Sequence, residues 1–267
     1  PNTNAFGLPI NAKLNVVING ASAASNSGFR FRSSNNIIKG VVVNGFSGAA
    51  FDCYLTSGTF TTNKISGNFI GTNRNGTSAV GNGYAFIVGG VTSSTLRYDT
   101  IGGSFNEERN LISGNANVAY FNAWQNGTFK GNYIGTNAAG TAAIANNEGI
   151  TMSWSGANGH SFIQNVMSGL SGASSSFLNV SYSTQNTVVK QNRIGTTADG
   201  TGGIPNANIG ILISDDGTYP NGPATIGDNG GGGNTIANCK IGININGNGS
   251  DKIKISGNNI YGNTTSG

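Results

Sequence analysis

The sequence predicts an all-β solenoid, a parallel β-helix of short stacked strands. Three observations predict it: an internal repeat, strand periodicity within each repeat, and a polar composition with little charge. The repeat decides most, because a fixed period of roughly 20–50 residues marks stacked architectures. Ile70-Gly71-Thr72-Asn73-Arg74-Asn75-Gly76-Thr77 returns from Ile134 to Thr141 and again from Ile194 to Thr201. Thr100-Ile101-Gly102-Gly103, with Asn110–Asn115 behind it, is matched by Thr225–Asp228 with Asn234–Asn238 behind that. Ile70 and Ile194 are 124 residues apart, as are Leu111 and Thr235, which nests a period near 31 residues inside one near 62.

The shorter period is one coil. First strands are read at Phe29–Phe31, Phe51–Leu55, Tyr84–Val88, Val118–Phe121, Ile150–Trp154, Phe177–Tyr182, Ile209–Ile213 and Ile241–Ile245. A second and a third follow in each coil, as where Lys64–Asn68 leads to Ile70. Each run is short and alternates with period two, which is strand periodicity, and no helical spacing persists for three turns. Runs this short are stable only when inward Ile residues stack on Ile of the next coil in a continuous column. Asn68, Asn115, Asn132, Asn165, Asn192 and Asn258 each close a strand, where side-chain amides can ladder along the stack. Gly precedes several of them, at Gly67, Gly114, Gly131 and Gly257, as a tight bend requires. The first strands give eight coils, or nine if Leu14–Ile18 adds one, in a single domain over residues 1–267. At about 4.8 Å per strand the body is roughly 40 Å long.

Composition bounds what such a body does. The chain has 44 Gly, 36% hydrophobic residues and only 9% charged ones, against roughly a quarter charged in an ordinary soluble domain. Its net charge of +4 rests on 14 scattered basic residues, too sparse for a nucleic-acid footprint. No apolar run approaches the roughly 18 residues of a membrane span, so a soluble chain without membrane insertion is expected. The start at Pro1, without Met, reads as a processed mature protein or an excised piece. Cys53 and Cys239 sit in strand-like contexts far apart and are expected as buried free thiols. Scarce charge with abundant Asn, Gly, Ser and Thr places the protein outside the cell, secreted or on a surface.

The Asn-x-Ile-x-Gly-Asn and Ile-Gly-Thr-Asn-x-x-Gly-Thr units resemble the repeats of right-handed parallel β-helix proteins that bacteria secrete or display. The resemblance runs from about Asn35 to Gly262. It implies a right-handed helix with three short strands per coil. It does not imply one function, because the fold hosts adhesins, filament proteins, phage tailspikes, lyases and glycoside hydrolases.

Catalytic candidates are few. Hydrolysis of a glycoside needs two carboxylates in different protonation states. Among ten acidic residues, Asp215-Asp216 is the best pair. It is similar to the Asp-Asp of polygalacturonases, but their downstream His-Gly and Arg-x-Lys elements are missing. The single histidine, His160, lies before the pair and about two coils away. Asp-Asp-Gly at a strand end is also good turn chemistry. No loop gathers enough carboxylates for calcium, Gly230–Gly233 lacks the Lys of a phosphate cradle, and neither a metal nor a cofactor is expected. Binding candidates are stronger. Lys39, Lys130 and Lys190 share one offset from the strand-closing corner, and Lys64 and Lys254 another two residues earlier, so they form a loose outward column. Such lysines protect a sheet from wrong pairing or hold an acidic glycan. Trp124, Trp154 and Tyr182 fall near the ends of three successive first strands, where they stabilise the stack or offer sugar rings a platform.

The expected function is therefore a structural or adhesive surface module without enzymatic activity. Its expected partners are further copies, stacked end to end, or neighbouring domains of a longer chain. A polysaccharide hydrolase or lyase and a tailspike-like fibre are the alternatives.

Overall fold

The structure is a computed structural model, and it describes residues 1–23, 26–55, 59–90, 95–122, 124–153, 157–173, 175–181, 184–215, 221–247 and 252–265. Successive repeats stack on one another as a right-handed parallel β-helix. The first strands of the coils form one eight-stranded sheet, from Phe29–Arg30 and Ala49–Leu55 to Ile241–Asn246. The second strands form another, from Ile37–Lys39 to Ile253–Ile255. The third strands form a nine-stranded sheet, from Val16–Asn19 to Asn259–Tyr261. Eight coils are complete, and Val16–Asn19 is the extra strand that the sequence offered as a ninth. A three-stranded ribbon (Thr59–Thr61, Thr95–Arg97, Trp124–Gln125) is inserted between first and second strands of three neighbouring coils. Among the described residues the one helical turn is Asn106–Glu108.

Register makes the core. Ile38, Ile65, Ile101, Phe129, Phe162, Val189 and Ile226 pair in line along the second sheet. Val43, Ile70, Ile112, Ile134, Met167, Ile194 and Ile236 do so along the third. Phe29, Phe51 and Phe86 head the first-sheet column with rings stacked at 5.3 and 5.5 Å. Ile112, Ile134, Ile194, Ile211 and Ile236 are fully buried. Ile243 is half-buried because its coil is the last in the stack. Cys53 and Cys239 are free and buried.

The asparagines form two ladders rather than one. Asn68, Asn110, Asn132, Asn165, Asn192, Asn234 and Asn258 run along the corner before the third sheet. Each side-chain oxygen accepts from the backbone N–H of its predecessor at 2.9–3.4 Å. Asn115 belongs instead to the corner after that sheet, between Asn82 and Asn146. The bend before most first-ladder Asn residues is left-handed, at Gly67 (φ 66°), Gly131 (φ 73°) and Gly257 (φ 66°), and Gln164 and Gln191 hold the same conformation, whereas Arg109 before Asn110 is extended (φ −64°). On alternate coils the Ile-Gly-Thr-Asn units close small antiparallel excursions, bridged at Thr72–Ala79, Thr136–Ala143 and Thr196–Gly203.

One element carries no repeat. The outward column of the third sheet, Val42, Phe69, Leu111, Tyr133 and Val166, is apolar and buried. The N-terminal segment crosses it as a strap, packing Phe6, Ile10 and Leu14 on that column. Gly7 N–H donates to the Tyr133 hydroxyl, which donates to Leu8 O. The Arg109 guanidinium lies 4.9 Å from the centre of the Tyr133 ring.

Candidate functional site

A three-residue strand whose middle residue points inward must turn its outer two away from the core. In the second sheet this creates two outward columns. One aligns Lys39, Ser66, Gly102, Lys130, Ile163 and Lys190. The other begins Ile37, Lys64, Thr100, Thr128 and ends Thr225, Lys254. Lys130 and Lys190 are two coils apart, hence about 10 Å, and Lys39 is three coils, about 14 Å, from Lys130. Lys190 pairs with Asp228 at 2.6 Å, and that hydrogen bond holds the Asp228 carboxyl below its usual range. Lys64 pairs with Glu108. Burial pushes Glu108 up, but the Lys64 contact and the Phe105 N–H outweigh it and leave the carboxyl below its ordinary value. Lys39 and Lys130 belong to none of the ion pairs among the described residues.

At the Lys39 end of this face lies a groove of about 730 Å3. Lys13 and Leu14 of the strap form one wall, Lys39, Gly40 and Gly67 the floor, and Asn106 and Glu107 the other wall. Asn2 fastens the strap to that second wall through Asn106 O at 2.8 Å. Two exposed aromatics flank the face: Tyr98, held in a left-handed conformation at the corner before the second sheet, and Phe105, next to Asn106. A left-handed Tyr is unusual, and sequence reading had no signal for it.

The aromatic platform needs correction. Trp124 is fully buried. Its indole fills the space over Gly127, donates to Asp99 Oδ2 at 3.3 Å, and stacks on His160 at 5.1 Å. It is core, because Gly127 leaves a gap in an inward column that neighbouring coils fill with Asp99 and His160. Trp154 and Tyr182 lie outside the described residues. His160 is also no surface acid: it is fully buried, neither ring nitrogen has a hydrogen-bond partner, and burial lowers its pKa to about 4. Asp215 is half-buried after the strand Ile209–Ser214, with its N–H donating to Asn246 O. Asp216 lies outside the described residues. Asp99 stands in no motif of the sequence. It is buried, accepts the Asn63 N–H at 2.8 Å, and is raised by burial to about 6. Among the described residues no three His, Cys, Asp or Glu side chains gather as a metal site, and no helix is long and apolar enough to cross a membrane.

No family model and no curated protein sequence matches the chain. Among solved structures, it is similar to the crystal structure of an alginate lyase from Paenibacillus sp. str. FPU-7, at 12% identity and a TM-score of 0.41, covering 96% of this chain and 97% of that one. The expectation of a protein without enzymatic activity is withdrawn on chemical grounds. The expectation rested on the missing pair of carboxylates, and that criterion applies to hydrolysis. Lyase chemistry removes a proton beside a carboxylate and asks for a base and a neutralising cation instead.

Proposed function

We propose that the protein acts outside the cell on an acidic polysaccharide, held along the outer face of the second sheet. The observation that carries this reading is register: Lys39, Lys130 and Lys190 share one outward column, and Lys64 and Lys254 its neighbour. A row of cations spaced by whole coils suits a polymer that carries charge at regular intervals. The exposed rings of Tyr98 and Phe105 offer apolar faces for sugar rings. Scarce charge elsewhere, with a surface of Asn, Ser and Thr, supports an extracellular site of action. A lyase is the enzymatic form of this recognition.

Affinity electrophoresis through gels containing alginate, polygalacturonate or neutral dextran tests it. Retardation by the acidic polymers, weakening with salt and falling in a Lys130→Ala/Lys190→Ala variant, is expected. Equal retardation by dextran, or none by either acidic polymer, overturns the reading. Near-ultraviolet absorbance of the same mixtures reports unsaturated product, and its growth with time marks a lyase.

A second reading, association between copies, is favoured by the end coils. Val16 and Ile37 are exposed at one end, and Ile245, Ile255 and Tyr261 at the other.

A further inference from the structure

We infer that the groove between the strap and the second sheet is a subsite for one carboxylate-bearing stretch of a glycan, with Lys13 and Lys39 taking the carboxylate and Asn106 and Glu107 the hydroxyls. This rests on the acidic-polysaccharide reading and gives it a place of tightest contact. Its two walls, its floor and its size carry it.

The cations come first. Lys13 and Lys39 are brought together from the strap and the first coil, and both line the groove. Neither is in an ion pair among the described residues. The nearest buried carboxylate, Glu108, already accepts from Lys64 and from the Phe105 N–H. Lys39 feels its charge but does not neutralise it. An incoming carboxylate therefore meets two unpaired ammonium groups.

The opposite wall supplies what a sugar needs and a simple anion does not. Asn106 offers an amide, whose Nδ2 also donates to Thr3 O at 3.2 Å, and Glu107 a carboxylate, and both are half-buried. Sugar hydroxyls donate and accept, so they can satisfy both groups. The wall is also fixed in place. A side chain at Gly67 would come within 2.5 Å of Glu107 O, so the Asn106–Glu108 turn rests directly on the coil beneath it. The floor is open: a side chain at Gly40 would touch nothing within 4 Å. The volume lies within the roughly 300–1,000 Å3 usual for small-ligand clefts. Phe105, 67% exposed beside Asn106, is placed for a ring to pack on it.

Calorimetric titration of the full chain with trigalacturonate, and with maltotriose as a neutral trimer, tests this. Lys13→Ala and Lys39→Ala are each expected to weaken trigalacturonate about tenfold, the loss of one charge-assisted contact. Lys39→Arg should restore most of the affinity, and Lys240→Ala, on another face, should leave it unchanged. Thermal midpoints equal to that of the unsubstituted protein establish that the variants fold. Undiminished binding by both alanine variants, or maltotriose bound as tightly, overturns the subsite. Retardation by polygalacturonate without trimer binding overturns the subsite and leaves the polymer reading standing. Failure of both removes the polymer reading as well.

Discussion

Asp99 and His160 face each other across the indole of Trp124, in an inward column that begins with Asn36 and Asn63. Their protonation opposes. Asp99 is raised from 3.8 to about 6, mainly by burial. The folded state therefore keeps its proton where the unfolded state has lost it, so this group's stabilisation is complete below 3.8 and lost as pH rises through 6. His160 is lowered from 6.5 to about 4 by burial. Its stabilisation is complete above 6.5 and lost as pH falls toward 4. At about 1.4 kcal/mol per pH unit, each slope is worth roughly 3 kcal/mol, and in the native chain they nearly cancel between pH 4 and 6. Asp99→Asn should expose the His160 slope, with stability rising over that range. His160→Phe, which keeps the stack on Trp124, should expose the opposite slope. Urea denaturation at half-unit pH steps measures both. Parallel profiles for the three proteins would show that neither group titrates in the folded core.

At the scale of the element, the first asparagine ladder is the most cooperative feature of the coil. Asn132 donates to Ile101 O and Asn165 Oδ1 and accepts from the N–H and side-chain amide of Asn110. Asn132→Ala leaves these buried groups unpaired and should cost about 2–4 kcal/mol. Asn258→Ala, at the half-buried end of the ladder, should cost less than half as much, and equal losses in denaturant unfolding would deny the ladder its cooperativity. The sequence made this ladder visible through its recurring Gly-Asn pairs. It also misled, because Gly67-Asn68 opens the third sheet whereas Gly114-Asn115 closes it, and a dipeptide does not record which corner it turns. Trp124 was misplaced for a related reason: the gap it fills belongs to Gly127, and only register shows that Gly127 replaces a large side chain. The strap was illegible in residues 1–14, which neither repeat nor alternate. Its trace lies elsewhere, in Phe69-Ile70, Leu111-Ile112, Tyr133-Ile134 and Val166-Met167, strands apolar on both faces that need cover outside as well as inside. Tyr133→Phe removes both strap hydrogen bonds of the hydroxyl. Faster proteolytic nicking within residues 1–14, with the main unfolding transition little changed, is the expected result of limited proteolysis followed by mass spectrometry.

The described coils form a column whose two edges have the same lateral pattern. Parallel pairing continues unbroken from Ile37–Lys39 to Ile253–Ile255, so one end of the second sheet presents the complement of the other. Inward apolar groups stand uncovered at both, with Ile38 half-buried at one edge and Ile255 42% exposed at the other, and stacking one copy on the next covers them with the contacts every internal coil already makes. Such a contact is head to tail and does not close, so it yields linear chains rather than rings. Charge works against it, because Lys13 and Lys39 lie near one end and Lys252 and Lys254 near the other. Screening falls within a Debye length of about 8 Å at physiological ionic strength and about 3 Å at 1 M salt. Association of the 267-residue chain should therefore strengthen with added salt, the reverse of polysaccharide binding, which lysines drive and salt weakens. Sedimentation velocity across a concentration series at low and high salt separates the two. Ile38→Lys together with Ile255→Lys should abolish the association while leaving retardation by acidic polymers intact. A protein that sediments as a monomer at every concentration and salt, or a double variant that still assembles, rules out stacking through these edges.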